Sequence, residues 1–345
     1  MNHQLMKSRV LWQSDASYSN YRIPGMIVTG KGTILAYCEA RNTSSDWARM
    51  DILMQRSTNG GESFEPPILL AHGTEVHPTV NNPVMAQDRN GRIHFLHCED
   101  YGIREGRILH RFSDDDGQTW SSPDDITYAT KPEYRNVFAI GPGHGICSAD
   151  GTLLFPVWMV PKSFESPLSS HHPSVISTLY SRDCGKTWEM GEILQTTAEM
   201  ITPNETELTL LENGTVYLNC RLGGGITYRG HAYSKTGYSE WKEFCPDYKL
   251  WDPCCFGSTV SFQPKGLPFT VFFANCNSNL SRKNVTIYAS FNSGRTWCRS
   301  VQIDPDQGGY VETAVNPSTE QIYVLYEQED GKRCVLCTLS MDWLK

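Results

Sequence analysis

The chain has 345 residues, 20% of them charged and 39% hydrophobic, which is enough for a large packed core and too apolar for a disordered chain. A net charge of -8 argues against nucleic acid and anionic membrane surfaces as partners, while leaving room for a locally basic pocket. No run is long enough to span a bilayer, and Met1 to Gln13 lack the basic-then-apolar layout of a signal peptide. A cytoplasmic location is therefore expected, with a secreted or periplasmic one as the alternative if a leader has been trimmed.

Taken in order, the elements are short strands. Arg9-Val10-Leu11-Trp12 is the first, and Gly30-Lys31-Gly32 then turns into Thr33-Ile34-Leu35-Ala36-Tyr37. The octapeptide Ser57 to Phe64 follows, and its pattern, Ser-x-Asp/Asn-x-Gly-x-Thr/Ser-Trp/Phe, returns at Ser113 to Trp120, Ser181 to Trp188 and Ser290 to Trp297. The last gap is about twice the others, and an eroded copy, Ser234 to Trp241, fills it, giving gaps of 56, 68, 53 and 56 residues. Ser340-Met341-Asp342-Trp343 is a sixth, partial echo 50 residues further on.

Between these boxes, Asn90-Gly91, Asp150-Gly151 and Asn213-Gly214 each lead into β-branched and aromatic runs, which is hairpin chemistry. No stretch sustains a helical period. Four short strands per unit of about fifty residues, repeated six times, predict an all-β fold, a six-bladed β-propeller built as one domain over residues 1–345. Arg9 to Trp12 should close a blade against Cys334 to Leu339, removing the exposed edges.

Asp114-Asp115-Asp116 in the second box invites reading as a metal or acid site. The box instead reads as a turn: its Asp or Asn bonds backbone N–H groups, its glycine takes positive φ, and its Trp or Phe packs at the blade edge. Asn at 59 and 292 supports this, because a metal or acid role needs the charge. His94 and His97 sit three apart on a strand and face opposite ways, so they are not read as a metal pair. The twelve cysteines are scattered, and Cys334-x-x-Cys337 lacks a matching pair, so reduced, mostly buried thiols are expected.

Tyr21-Arg22-Ile23-Pro24 followed by four to five such boxes resembles the bacterial exo-sialidases, a neuraminidase clan of glycoside hydrolases, over essentially the whole chain from Tyr21 to about Trp343. The resemblance implies three arginines that clamp a sugar carboxylate, and Arg22, Arg221 and Arg282 match them. Guanidinium suits that task because it pairs bidentately with carboxylate and keeps its charge. It implies a tyrosine nucleophile, matched by Tyr310 in Gly308-Gly309-Tyr310, with a glutamate to take its proton. Pro203-Asn204-Glu205 selects Glu205, and Glu207, on the same strand face, competes.

Asp46, on the loop after Glu39-Ala40-Arg41, matches the acid/base, with Asp51 as the runner-up. Arg41 is implied as a substrate contact or support, and Glu327 as the glutamate that steadies Arg22. Gly141 to Gly145 resembles a loop at the site's mouth. Asn81-Asn82-Pro83 falls where several relatives carry an aspartate near the acyl group. Trp47, Trp158 and the segment Trp251 to Phe256 are candidates for shaping the pocket.

The implied function is retaining exo-α-sialidase action on sialylated glycans or free sialosides through a covalent sialyl-tyrosine, without metal or cofactor. No appended lectin domain is visible. The alternatives are a trans-sialidase, a hydrolase of a related nonulosonic acid, or a glycan-binding propeller without catalysis.

Overall fold

The computed structural model describes residues 6–100, 106–134, 137–162 and 171–345. The described strands form six separate sheets, each with a four-strand antiparallel run from the centre outward. Blade 1 runs Asn20–Val28, Ile34–Arg41, Met50–Ser57, Ile68–His72. Blades 2 to 6 begin at the inner strands Val80–Gln87, Val137–Ile140, Thr206–Leu210, Ser258–Phe262 and Val311–Asn316. The middle strands of each blade are buried on both faces, as Ile34–Arg41 and Leu153–Val160 show, because neighbouring blades pack against them. The predicted six-bladed propeller is the observed fold. Among the described residues, no helix is long and apolar enough to cross a membrane.

The ring closes as expected. Met6–Gln13 supplies the outer strand of blade 6, with Arg9 opposite Leu336 and Trp12 opposite Cys334. This closure also explains the truncated sixth box. Ser340 ends its strand and caps a short 3₁₀ turn over Met341–Leu344, since the fourth strand of that blade arrives from the other end of the chain.

All five full boxes join the third strand of a blade to its fourth. In the second box, Asp115 Oδ1 accepts from the backbone N–H groups of Gln118 (3.1 Å) and Thr119 (2.8 Å), and Oδ2 accepts from Thr119 Oγ1 (2.6 Å). Asp183 does the same with Lys186 and Thr187. Asn59 and Asn292 accept the equivalent backbone bonds and donate to Ser63 and Thr296. Burial is the largest single influence and raises the Asp115 and Asp183 carboxyls, but the hydrogen bonds together outweigh it and hold both at about 2.

The three consecutive aspartates point three ways. Asp114 pairs with Arg92, Asp115 builds the turn, and Asp116 accepts from Thr33 Oγ1 of blade 1 at 2.6 Å. They form no common site. Asp116, Cys184 and Ser293 also have positive φ, as do the glycines that follow them, so the box is a tighter turn than its single invariant glycine implies.

His94 and His97 do face opposite ways. His94 stacks on His110 toward Trp188, and His97 stacks on Phe95. All twelve cysteines are free.

Candidate active site

The boxes and the first hairpin of each blade lie at one end of the propeller. The starts of the inner strands and the loops between second and third strands lie at the other, and every predicted site residue is at that second end. Arg22 opens the inner strand of blade 1, Arg41 ends its second strand, and Asp46 sits in the loop that follows. Glu205 immediately precedes the inner strand of blade 4, and Arg221 follows that blade's second strand. Arg282 precedes the third strand of blade 5, Tyr310 precedes the inner strand of blade 6, and Glu327 closes that blade's second strand.

A cavity of about 150 Å³ collects Arg22, Arg41, Asp46, Glu205, Arg221, Arg282 and Tyr310 on its wall. A wider recess of about 770 Å³ lies at the box end between blades 6 and 1, lined by Lys7, Arg9, Asn59 and Gln321 among others. It brings together none of the predicted site residues.

The Tyr310 hydroxyl donates to Glu205 Oε1 and accepts from Arg221 Nη1 at 3.1 Å. The same Arg221 nitrogen donates to Glu205 Oε2 at 2.7 Å. The guanidinium carbons of Arg22 and Arg282 stand 5.3 and 5.4 Å from the Tyr310 ring centroid. Burial pushes the phenol well above its usual range and Glu205 adds to this, while the three arginines oppose it. Tyr310 is therefore a neutral phenol whose proton points at the Glu205 carboxylate.

Glu327 ties the cluster together. Its Oε1 accepts from Arg22 Nε (2.7 Å) and from the Ile23 backbone N–H (2.9 Å), and its Oε2 accepts from the Tyr310 backbone N–H (3.0 Å). Ile23 has φ +55°, rare for a β-branched residue, and the pairing register slips between Arg22 and Gly25. That bulge turns the Arg22 side chain into the cavity. Asn82 repeats the device in blade 2 with φ +53° and a slip between Asn81 and Val84. Asn81 lines the cavity, and its Oδ1 is buried without a hydrogen-bond partner.

Asp46 and Asp51 separate cleanly. Arg41 Nη1 donates to Asp46 Oδ1 at 2.7 Å, and the Asp46 side chain keeps 42% of its surface exposed in the cavity. Burial raises its carboxyl, but the Arg41 charge and hydrogen bond, with Arg22 and His171 adding to them, together outweigh burial and hold it below the usual carboxylate range. Asp51 is engaged by Tyr18, His72 and the Gly73 N–H and is absent from the cavity wall.

Glu205 and Glu207 share a face, as their spacing requires, and depth divides them. Glu207 lies one step down the axis, fully buried, accepting from the His144 and Thr259 backbone N–H groups.

The segment Gly141 to Gly145 differs from its expectation. It threads the axis below the mouth, where Gly143–His144 pairs in parallel with Val84 and Met85. Of the aromatics, Trp158 lines the cavity, Trp47 contacts it through His171 (ring centroids 5.9 Å apart), and Trp251 stacks on Tyr228 outside it.

Two contributors went unrecognised in the sequence. Glu39, fully buried, holds Arg41 through Nε (2.7 Å) and Nη2 (2.5 Å); its i, i+2 spacing from Arg41 was the available signal. His171 lines the cavity beside Trp158, and no local pattern marks it.

Residues 32–324 match the family model for the BNR repeat-like domain, and the chain belongs to that family. The proteins it is similar to include sialidases of bacteria and of mammals. It is 29% identical to a sialidase of Bacteroides fragilis across 91% of this chain and 61% of that protein. It is 28% identical to sialidase-3 of Bos taurus across 89% of this chain and 74% of that protein. The chain thus spans about three fifths of the length of the Bacteroides relative.

A Hadza microbial sialidase structure superposes with a TM-score of 0.86 at 23% identity, covering 97% of this chain and 68% of that one. A Trypanosoma rangeli sialidase described as a covalent intermediate with 2,3-difluorosialic acid superposes with a TM-score of 0.78 at 16% identity, covering 96% of this chain and 58% of that one. At these identities the structures establish the shared fold.

Proposed function

We propose that the protein is a retaining exo-α-sialidase that releases terminal sialic acid through a covalent sialyl-tyrosine. The observation that carries this reading is the Tyr310 hydroxyl held between the Glu205 carboxylate and Arg221 with Arg22 and Arg282 over its ring. A neutral phenol approaches an anionic sugar without the repulsion a carboxylate nucleophile would meet.

Arg22, Arg221 and Arg282 seat the substrate carboxylate. Tyr310 attacks the anomeric carbon as its proton passes to Glu205, and the glycosidic bond breaks with Asp46 protonating the leaving oxygen. Water then attacks the sialyl-tyrosine with Asp46 as base, and Tyr310 recovers its proton from Glu205.

Arg41 favours the ionised form of Asp46. Substrate binding reverses that bias: the sugar carboxylate offsets the arginine field and the ring excludes water, and both raise Asp46 toward its acid form. Asn81 Oδ1, buried and unpartnered on the cavity wall, offers an acceptor for an acylamino N–H.

The test is release of fluorophore from a 4-methylumbelliferyl sialoside, with intact-mass detection of a Tyr310 adduct after exposure to 2,3-difluorosialic acid. Tyr310→Phe should abolish normal turnover and the adduct, and near wild-type rates would sink the assignment. Asp46→Ala should hurt poor leaving groups far more than activated ones. Product NMR reads whether water or another hydroxyl accepts the sugar.

A further inference from the structure

Below the Tyr310–Glu205 pair, two residues further along each of the same chain segments, stand Glu312 and Glu207. His144 bridges them. Its Nδ1 lies 2.7 Å from Glu312 Oε1 and 3.0 Å from Glu207 Oε1, and all three side chains are buried. Among the described residues neither carboxylate has another ion-pair partner. Two carboxylates thus share a single imidazole in the core, and burial with the neighbouring Glu207 pushes the Glu312 carboxyl up to about 8.

Glu312 Oε2 has no hydrogen-bond partner although its residue is fully buried. It converges with Glu207 Oε1 on one spot beside Gly143. A Cβ on that glycine would come within 2.5 Å of the first oxygen and 2.2 Å of the second, so only glycine fits, and its φ is +90°.

We propose that His144, Glu207 and Glu312 form a binding site for a divalent transition cation of the Mn²⁺ or Zn²⁺ class on the propeller axis. The three ligand atoms lie within 4.8 Å of one another. At metal–ligand distances of about 2.1 Å, edges of 2.7 and 3.0 Å subtend about 80° and 90°, which suits five or six ligands with water completing the shell. One imidazole and two carboxylates fit Mn²⁺ or Zn²⁺ better than Ca²⁺, which takes oxygen alone.

The trio borders a second cavity on the axis through His144. This cavity, of about 350 Å³, is lined by Met26, Val28, Gln87, Thr209 and Val315 from the inner strands. It lies toward the box end, away from Tyr310. On binding, the proton at Nδ1 and the proton held by Glu312 leave to solvent and the cation takes their place. The role is structural, joining blades 4 and 6 to the axial segment, and it stands or falls independently of the sialidase reading.

The full chain, stripped with chelator, is titrated with Mn²⁺, which disfavours the thiolates that would confuse a zinc count. The expected results are one tightly held equivalent by elemental analysis, a raised melting temperature, and histidine nitrogen coupling in the pulsed electron paramagnetic resonance of the bound ion. Glu312→Gln and His144→Gln should each weaken uptake by about tenfold or more. Absence of retained Mn²⁺ in folded wild-type protein overturns the proposal, as does uptake unchanged by both substitutions. If neither variant folds, the nitrogen coupling in wild type decides, and its absence overturns the site.

Discussion

Glu327 is the residue whose removal should be felt most widely, because one carboxylate holds Arg22 and two backbone N–H groups at once. Its side chain is 3% exposed and that of Arg22 15%, so the pair is little screened. Breaking a buried pair by deleting one partner costs about 3–5 kcal/mol. Each backbone N–H left without an acceptor costs about 1–3 kcal/mol, less where water enters the vacated space. For Glu327→Ala the lower bound is thus about 3 kcal/mol.

With an unfolding entropy of about 2.1 cal/mol/K per residue, a chain of this length shifts its melting temperature by about 1.4 °C per kcal/mol, so a loss of about 4–7 °C or more is expected. Glu327→Gln keeps the shape but turns an amide NH₂ toward a donor, and should lose about half as much. Misplacing Arg22 and the Tyr310 backbone by about 1 Å should lower kcat/KM about 100-fold on the umbelliferyl sialoside. Differential scanning fluorimetry and steady-state kinetics on the same samples read both effects. A Glu327→Ala protein that melts within a degree of wild type and keeps kcat/KM within about threefold would refute the reasoning.

Asp115→Asn should be nearly neutral in urea unfolding, because Asn59 and Asn292 already build the same turn, whereas Asp115→Ala forfeits bonds to Gln118 and Thr119 and should cost about 1–2 kcal/mol. Buried His97 and His110 are held down to about 3 by desolvation, with nearby positive charge adding to it. Their folded values lie below the unfolded one, so the stability they contribute is full above about pH 6.5 and drains away as pH falls toward 3; melting temperatures measured from pH 7 to pH 4 should fall accordingly. Gly143→Ala should fail to fold or melt many degrees lower, since the added methyl meets two carboxylate oxygens in a left-handed backbone, and a stable, active variant would contradict the axial packing.

The repeated boxes and hairpin turns were legible because they are local. A serine, an Asp or Asn two residues on and a glycine two further satisfy one another within eight residues, so the blade number followed from counting. The cluster of Arg22, Arg221 and Arg282 was legible only through its resemblance to known sequences. Nothing in the composition around Arg221 or Arg282 separates either from a surface arginine until Tyr310 is seen between them. Asp46 and Asp51 are separated by their partners and by access to the cavity, and Glu205 and Glu207 by depth along the axis.

By itself, the sequence determined the strands, their turns, the number of blades and the closure of the ring, because short-range hydrogen bonding and alternation decide those. Only the tertiary structure decided which acids meet solvent, which are sealed against His144, and how Glu39 and Glu327 brace their arginines. Those outcomes depend on blades distant in sequence converging on one axis, where a carboxylate's surroundings are supplied almost wholly by other parts of the chain.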